Sequence, residues 1–275
     1  RFQGPGMRIS AERARMLGVD LVDVVADVPD LDVTPSEIMT ISGRAQGPTA
    51  EFLRFVSLSP VAQHIGGFTD GIRAEGRGEL ELKLVMPLRN TPDTRVEGVF
   101  RFSGNRIELV EGLPALERAG GAVRFTGDSL AIPAARAQFL GNGVDVKAQP
   151  GADGMVRFEA AGRADAAALR AWLGDALGAR LSGQSTWRGR IDLGADGDRM
   201  HIESDLVGLA ASLPAPLNKS AGEAWPARFV LDHVSARPAD ALALQIGGLR
   251  RAERQRTRGD APAVRGGIAS GRAAA

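Results

Sequence analysis

The sequence predicts a mainly β fold, a long curled antiparallel sheet forming a repeating β-groove, with two or three short helices at the repeat corners. Three observations predict it. Between Gly76 and Ala164, segment after segment alternates apolar and polar residues one for one. This is the period of a strand, whose successive side chains point to opposite faces. Short turn sequences separate the segments and force sequential neighbours to pair antiparallel. A strand–helix–strand corner then occurs twice, at Gly43-Arg44-Ala45 and about 120 residues later at Gly162-Arg163-Ala164, a spacing that follows repeat logic.

Taken in order, Arg1 to Asp32 reads as one or two strands, clearest at Leu21 to Val28 and broken by Pro29. Glu37 to Gly47 is a further strand. A helix is expected from Thr49 to about Ile65, with Phe52, Leu53, Phe55, Val56 and Leu58 at helical spacing. Ser59-Pro60 splits it and Gly66-Gly67 stops it. The meander follows, with strands around Glu79–Leu84, Arg95–Phe102, Arg106–Leu109, Val123–Thr126, Val144–Lys147 and Val156–Glu159. Turns are expected at Asn90-Thr91-Pro92-Asp93, Ser103-Gly104-Asn105, Gly127-Asp128-Ser129, Gly141-Asn142-Gly143 and Gly151-Ala152-Asp153-Gly154. A single helical turn is expected across Leu113 to Ala119. The second helix begins at Asp165, placed as its cap, and runs through Leu169, Trp172, Leu173 and Leu177. Strands then cover Thr186–Leu193, Met200–Leu206 and Ala227–Val234, with a proline-bracketed loop from Leu213 to Lys219. Leu242, Leu244 and Ile246 suggest a last strand in a poorly specified Ala/Arg/Gly-rich end. The implied divisions are 1–47, strands of a preceding repeat; 48–164, helix plus meander; 165–235, a second helix plus β repeat; and 236–275, a truncated C-terminal segment. The chain opens on Arg1 and closes on Ala273-Ala274-Ala275, which reads as a segment of a longer polypeptide.

Composition narrows the function. Lys and Arg total 34 against 33 Asp and Glu, without the basic excess that nucleic-acid binding calls for. Cysteine is absent, which removes disulfides and thiolate metal sites. No apolar run is long enough to span a bilayer as a helix, and no signal peptide is visible. His64, His201 and His233 share no metal-ligand spacing. The acidic series Asp20, Asp23, Asp27, Asp30 and Asp32 reads as a solvated strand face, since no Asp-x-Asp-x-Asp-Gly loop accompanies it. The run Arg250, Arg251, Arg254, Arg256 and Arg258 could favour anionic headgroups, but Glu253 and Asp260 dilute it, and a solvated strand edge or loop is the safer reading. Nucleophile elbows, phosphate loops and zinc helices are all missing. No enzyme is expected, and no cofactor.

That leaves the apolar face. Two short helices cannot cover a sheet of about ten strands, whereas a sandwich would fold a second sheet over it. A sheet that curls without closing makes its inside a hydrophobic gutter. An acyl chain gains about 0.8 kcal/mol per CH₂ on leaving water, so a gutter removes the barrier to crossing an aqueous gap. The alternation assigns to this face Leu80, Leu82, Leu84, Met86, Val96, Phe100, Phe102, Ile107, Leu109, Val123, Phe125, Val144, Val146, Val156, Phe158, Trp187, Ile191, Leu193, Ile202 and Leu206. Pattern alone leaves a tightly packed sandwich core open as the other reading. An outer-membrane barrel is disfavoured, because aromatics are 5% and tyrosine is absent, leaving no material for interfacial girdles.

In order along the chain come Val28-Pro29-Asp30-Leu31, Ser42-Gly43-Arg44-Ala45-Gln46-Gly47-Pro48-Thr49, Ser59-Pro60-Val61, and Gly76-Arg77-Gly78-Glu79-Leu80 leading to Met86-Pro87-Leu88. Then follow Asn105 to Leu109, Gly121 to Phe125, Leu209, Leu213-Pro214-Ala215-Pro216-Leu217-Asn218-Lys219 and Arg265-Gly266-Gly267-Ile268. This order resembles the YhdP family, the AsmA-like and TamB-related envelope proteins of bacteria, over nearly the whole chain. The resemblance implies a bridge-like protein, with an inner-membrane anchor followed by a periplasmic β-groove that carries phospholipid towards the outer membrane. The expected partners are therefore phospholipid and, through terminal regions not present here, the inner and outer membranes; other envelope proteins are possible partners, nucleic acid is not. The alternative function is a periplasmic scaffold or assembly factor for outer-membrane proteins, in the manner proposed for TamB.

Overall fold

The computed structural model describes residues 2–3, 5–32, 37–58, 69, 71–109, 114–127, 129–151, 155–194, 197–234, 239–247 and 250–257. Within them the chain forms one sixteen-stranded antiparallel sheet, curled but not closed, in which nearly every strand lies beside its neighbours in sequence. The first three strands are β1 (Phe2–Gln3), β2 (Gly6–Met16) and β3 (Val19–Val28). Strand β4 (Ile38–Pro48) leads through helix α1 (Thr49–Leu58) into β5 (Arg73–Pro87). A meander follows: β6 (Arg95–Glu108), β7 (Leu116–Thr126), β8 (Leu130–Phe139), β9 (Asn142–Pro150) and β10 (Val156–Asp165). Helices α2 (Ala166–Leu173) and α3 (Asp175–Gly178) form the second corner. Beyond it lie β11 (Leu181–Leu193), β12 (Gly197–Ser204), β13 (Leu209–Ala211), β14 (Ala227–Val234), β15 (Ala239–Ile246) and β16 (Arg250–Thr257). Only β13 leaves the sequential path, pairing with the start of β11.

The expected architecture holds, and four local readings change. Ser103-Gly104-Asn105 is not a turn: β6 runs through it as one strand, with a register shift between Phe102 and Asn105 and Gly104 at φ +70°. A bulge sequence and a turn sequence look alike because both place a glycine at positive φ. Leu116 to Ala119 is strand rather than helix. Helix α2 ends at Gly174, which takes φ +80°, so Leu177 belongs to the separate turn α3. Asp165 stands at the N-cap position in extended conformation, without a side-chain hydrogen bond to the helix. Ser59-Pro60, Gly66-Gly67 and the end of the first expected helix lie outside the described residues. Strands β8, β13 and β16 carry no clear alternation and are not among the expected strands.

The long connections gather on one edge. Strands alternate in direction, so α1, α2, α3 and the 205–226 loop all leave the same side of the sheet, while the opposite edge carries compact reversals such as Thr126 to Ser129. Two polar pins secure the helix-bearing edge. Asn105 is fully buried, and its amide donates to the carbonyls of Ser103 and Arg77 at 3.1 Å each while accepting from the Thr49 hydroxyl at 2.6 Å. The reverse orientation would set the amide oxygen against both carbonyls. Gly76, at φ +110°, makes room for this amide, which a Cβ there would overlap. The second pin is Lys219, buried to 4% exposure, whose Nζ donates to the carbonyls of Leu209 (2.7 Å), Leu206 (2.8 Å) and Ser220 (3.0 Å). The loop containing Leu213-Pro214-Ala215-Pro216-Leu217-Asn218 is thereby folded back on β13, where Ala211 bridges Lys219.

A buried amide with three partners is costly to lose, because each orphaned carbonyl keeps its desolvation penalty. Asn105→Leu is expected to lower unfolding free energy by about 2–3 kcal/mol, whereas Glu81→Ala, which breaks an exposed ion pair with Arg101, changes it by less than about 1 kcal/mol. Urea unfolding of the two variants checks the contrast.

Candidate functional site

Residues paired directly across an antiparallel ladder project to the same face, so the register defines the rows that run along the sheet. One row passes Gly47, Gly78, Phe102, Gly121, Ala135, Val146, Ala160, Gly189, Ile202, Phe229 and Leu244. It crosses eleven strands without a polar residue. A second row passes Ile132, Ala148, Phe158, Ile191, Met200 and Leu231. At about 4.8 Å between strands, the first row extends roughly 50 Å along the sheet.

The opposite face is charged. Lys147, Glu159, Arg190 and His201 form one of its rows, and Arg157, Asp192, Arg199 and Asp232 another. Arg157 and Arg199 each donate to their aspartate partner at 2.7 Å. His201 stands among these arginines. Burial first, then Arg228 and Arg190, lower its pKa below the ordinary histidine value.

The predicted lining residues fall on the apolar face as follows. Leu80 pairs with Phe100 and Phe100 with Val123; Leu84 pairs with Val96; Leu82 and Phe125 both oppose Gly98. Met86 opposes Met39, and Ile107 opposes Ala74 and Leu116. Val144 and Trp187 both oppose Gly162, while Val156 opposes Leu193. Phe102, Val146 and Ile202 belong to the first row, Phe158 and Ile191 to the second. Two residues lie elsewhere: Leu109 sits in a bend after β6, and Leu206 lies past β12 at φ +54°, where its carbonyl receives Lys219. Ala135, Ala148, Ala160, Met200, Phe229 and Leu231 also belong to the face but were absent from the sequence reading. Alanine and glycine give almost no hydropathy signal, and β14 lacks strict alternation.

The surface is built by setting aromatic rings over glycines. Phe100 lies over Gly78, Phe125 over Gly98, and Trp187 over Gly162 with its far edge near Gly189. A Cβ on Gly98 would overlap the Phe125 ring. Strand glycines otherwise weaken a sheet, and a cross-strand ring covers the backbone they expose. Among the described residues, the helices cover the face from above at the helix-bearing edge. There Phe52 of α1 meets Phe100 at 5.0 Å between ring centres, and Leu169 of α2 packs on Ala119, Ala137, Val144, Ala164 and Trp187. Leu80, Leu82, Leu84, Met86, Val96, Phe100, Phe125, Phe158, Ile191 and Leu193 remain half-buried. No second sheet lies over them among the described residues, so the sandwich reading gives way.

Among the described residues, no cluster of three or more His, Asp or Glu could hold a metal ion. No helix among them is long and apolar enough to cross a membrane. What the fold and surface define is a single-layer β-groove protein: a curled sheet with one continuous apolar face and one charged face. The chain belongs to the YhdP family, whose model, described as YhdP protein, matches residues 1–274. This is an AsmA-like envelope family and not a family of enzymes. No curated protein and no solved structure matches the chain.

The glycine–aromatic pairs give a test of the surface itself. Gly98→Val forces the Phe125 ring aside and is expected to cost about 1–3 kcal/mol by overpacking. Phe125→Ala in the same chain recovers part of that loss, and a double-mutant cycle by urea unfolding measures the coupling.

Proposed function

We propose that this segment shields phospholipid acyl chains on its apolar face during transport between the inner and outer membranes, as a periplasmic part of a bridge-like protein. The supporting observation is the row from Gly47 to Leu244, flanked by large apolar side chains such as Leu82, Leu84, Met86, Phe158 and Ile191 that stay half-buried, with no second sheet over them among the described residues. Contiguous exposed apolar surface beyond a few hundred Å² marks a binding face. An acyl chain reaching halfway through a hydrocarbon core about 30 Å thick is about 15 Å long, the width of about three strand spacings. The row therefore accommodates more than one lipid at a time. Family membership supports the same reading. In it, 48–164 and 165–235 act as successive groove repeats, with 1–47 and 236–275 belonging to their neighbours.

Photoreactive residues placed singly at Leu82, Phe100, Phe158 and Ile191 are expected to capture phospholipid in cells, while Glu81, Arg101 and Glu159 on the charged face do not. Leu84→Asp and Phe100→Arg place a charge on the apolar face and are expected to stop lipid passage, where changes at Arg101 leave it intact. Lipid captured only from the charged face overturns the proposal. Capture of nascent outer-membrane barrel proteins in place of lipid supports the scaffold alternative.

A further inference from the structure

The two long edges of the groove are built differently, and the difference fixes how a lipid can lie in it. On one edge α1 and α2 fold over the apolar face. Phe52 is seated on Phe100, and Leu169 on the cluster around Trp187. The residues beneath are small or sealed: Ala119 is 3% exposed, Ala164 8% and Asn105 0%. On the other edge the described residues form no α-helix, only a single 3-10 turn at Thr91–Asp93. The buried residues there, Ile132, Ala148 and Val156, are packed against Val123, Leu130, Ala135 and Phe158 of the sheet itself. Its large apolar residues run out to the reversals, where the Met39–Met86 pair at the end of β4 and β5 stays half-buried. The reversals are polar, as in Asn90, Thr91, Asp93 and Thr94, or Thr126 and Ser129.

A phospholipid headgroup carries charge and cannot be buried without strong compensation. Where α1 and α2 lie, leaving the groove on the helix-bearing side would mean passing between helix and sheet, where Thr49–Asn105 and the packing of Leu169 on the Trp187 cluster already fill the space. We infer that lipid in this groove takes one orientation, with acyl tails directed towards the helix-bearing edge and headgroups lying against the turn-bearing edge. The inference rests on the proposed transport reading and adds a handedness to it.

Two photoreactive phosphatidylethanolamine probes, one with a diazirine at the acyl terminus and one with a diazirine on the headgroup amine, distinguish the possibilities. Each is delivered in vesicles to the full chain, and labelled residues are mapped by mass spectrometry. The expected result is headgroup labelling around Asn90, Thr94, Ser129 and Met155, with acyl-terminal labelling near Phe52 and Leu169. Headgroup labelling of α1 or α2 equal to that of the turns overturns the orientation while leaving the groove reading standing. A chain that takes up neither probe on its apolar face overturns both. Phe52→Ala and Leu169→Ala, which thin the cover, are expected to raise headgroup labelling on the helix-bearing edge at least several-fold; no rise counts against the inference.

Discussion

The backbone ladder between chain-adjacent strands is the constraint on which this molecule rests, because among the described residues no second layer packs against most of the sheet. In a sandwich, burial between layers supplies most of the stability. Here the strands are held by their hydrogen bonds and by lateral contacts between neighbours within each face. The charged face contributes through cross-strand pairs such as Arg157–Asp192 and Arg199–Asp232. The apolar face contributes through rings laid over glycines. Register matters more than usual in such a sheet: a slip by one residue would carry every apolar side chain to the charged side. The bulges at Gly76 and Gly104 and the tight reversals between strands hold that register.

The same economy explains where the rigid polar contacts sit. Asn105 and Lys219 are buried on the helix-bearing edge and bond to main-chain carbonyls, or to Thr49, and to no carboxylate. They close the backbone groups that a corner or a loop leaves unpaired. A carboxylate partner does appear at the opposite end of β4, where the buried Glu37 grips Arg89 at 2.8–3.0 Å. That hydrogen bonding, and next the negative charge, raise the Arg89 pKa above its ordinary value.

Most of the fold was legible in the sequence because period-two alternation maps one to one onto a sheet with two unlike faces. Glu79 to Leu84 sits in β5 with its leucines on one side and its charges on the other, as the pattern required. The misreadings have physical causes. Gly104 supplies a positive φ whether the chain reverses or bulges, and the residues alone do not distinguish the two. The small residues of the central row, Gly121, Ala135, Ala160 and Gly189, escaped notice because their role is to be low, and lowness has no hydropathy. Leu206 was assigned by extending an alternation two residues past Ser204, where the chain had already left the strand. The asymmetry of the two edges was not legible either, since it arises only once alternating strand direction gathers the helices on one side.

Sequential pairing also bears on how such a chain comes together. Almost every strand finds its partner in the segment made just before it, so the separation between contacting residues stays short for an all-β protein, which favours rapid pairing. A growing chain can lay down each hairpin on the last without waiting for a distant partner to be synthesised. What it exposes meanwhile is a single naked border, renewed and covered again with every strand added.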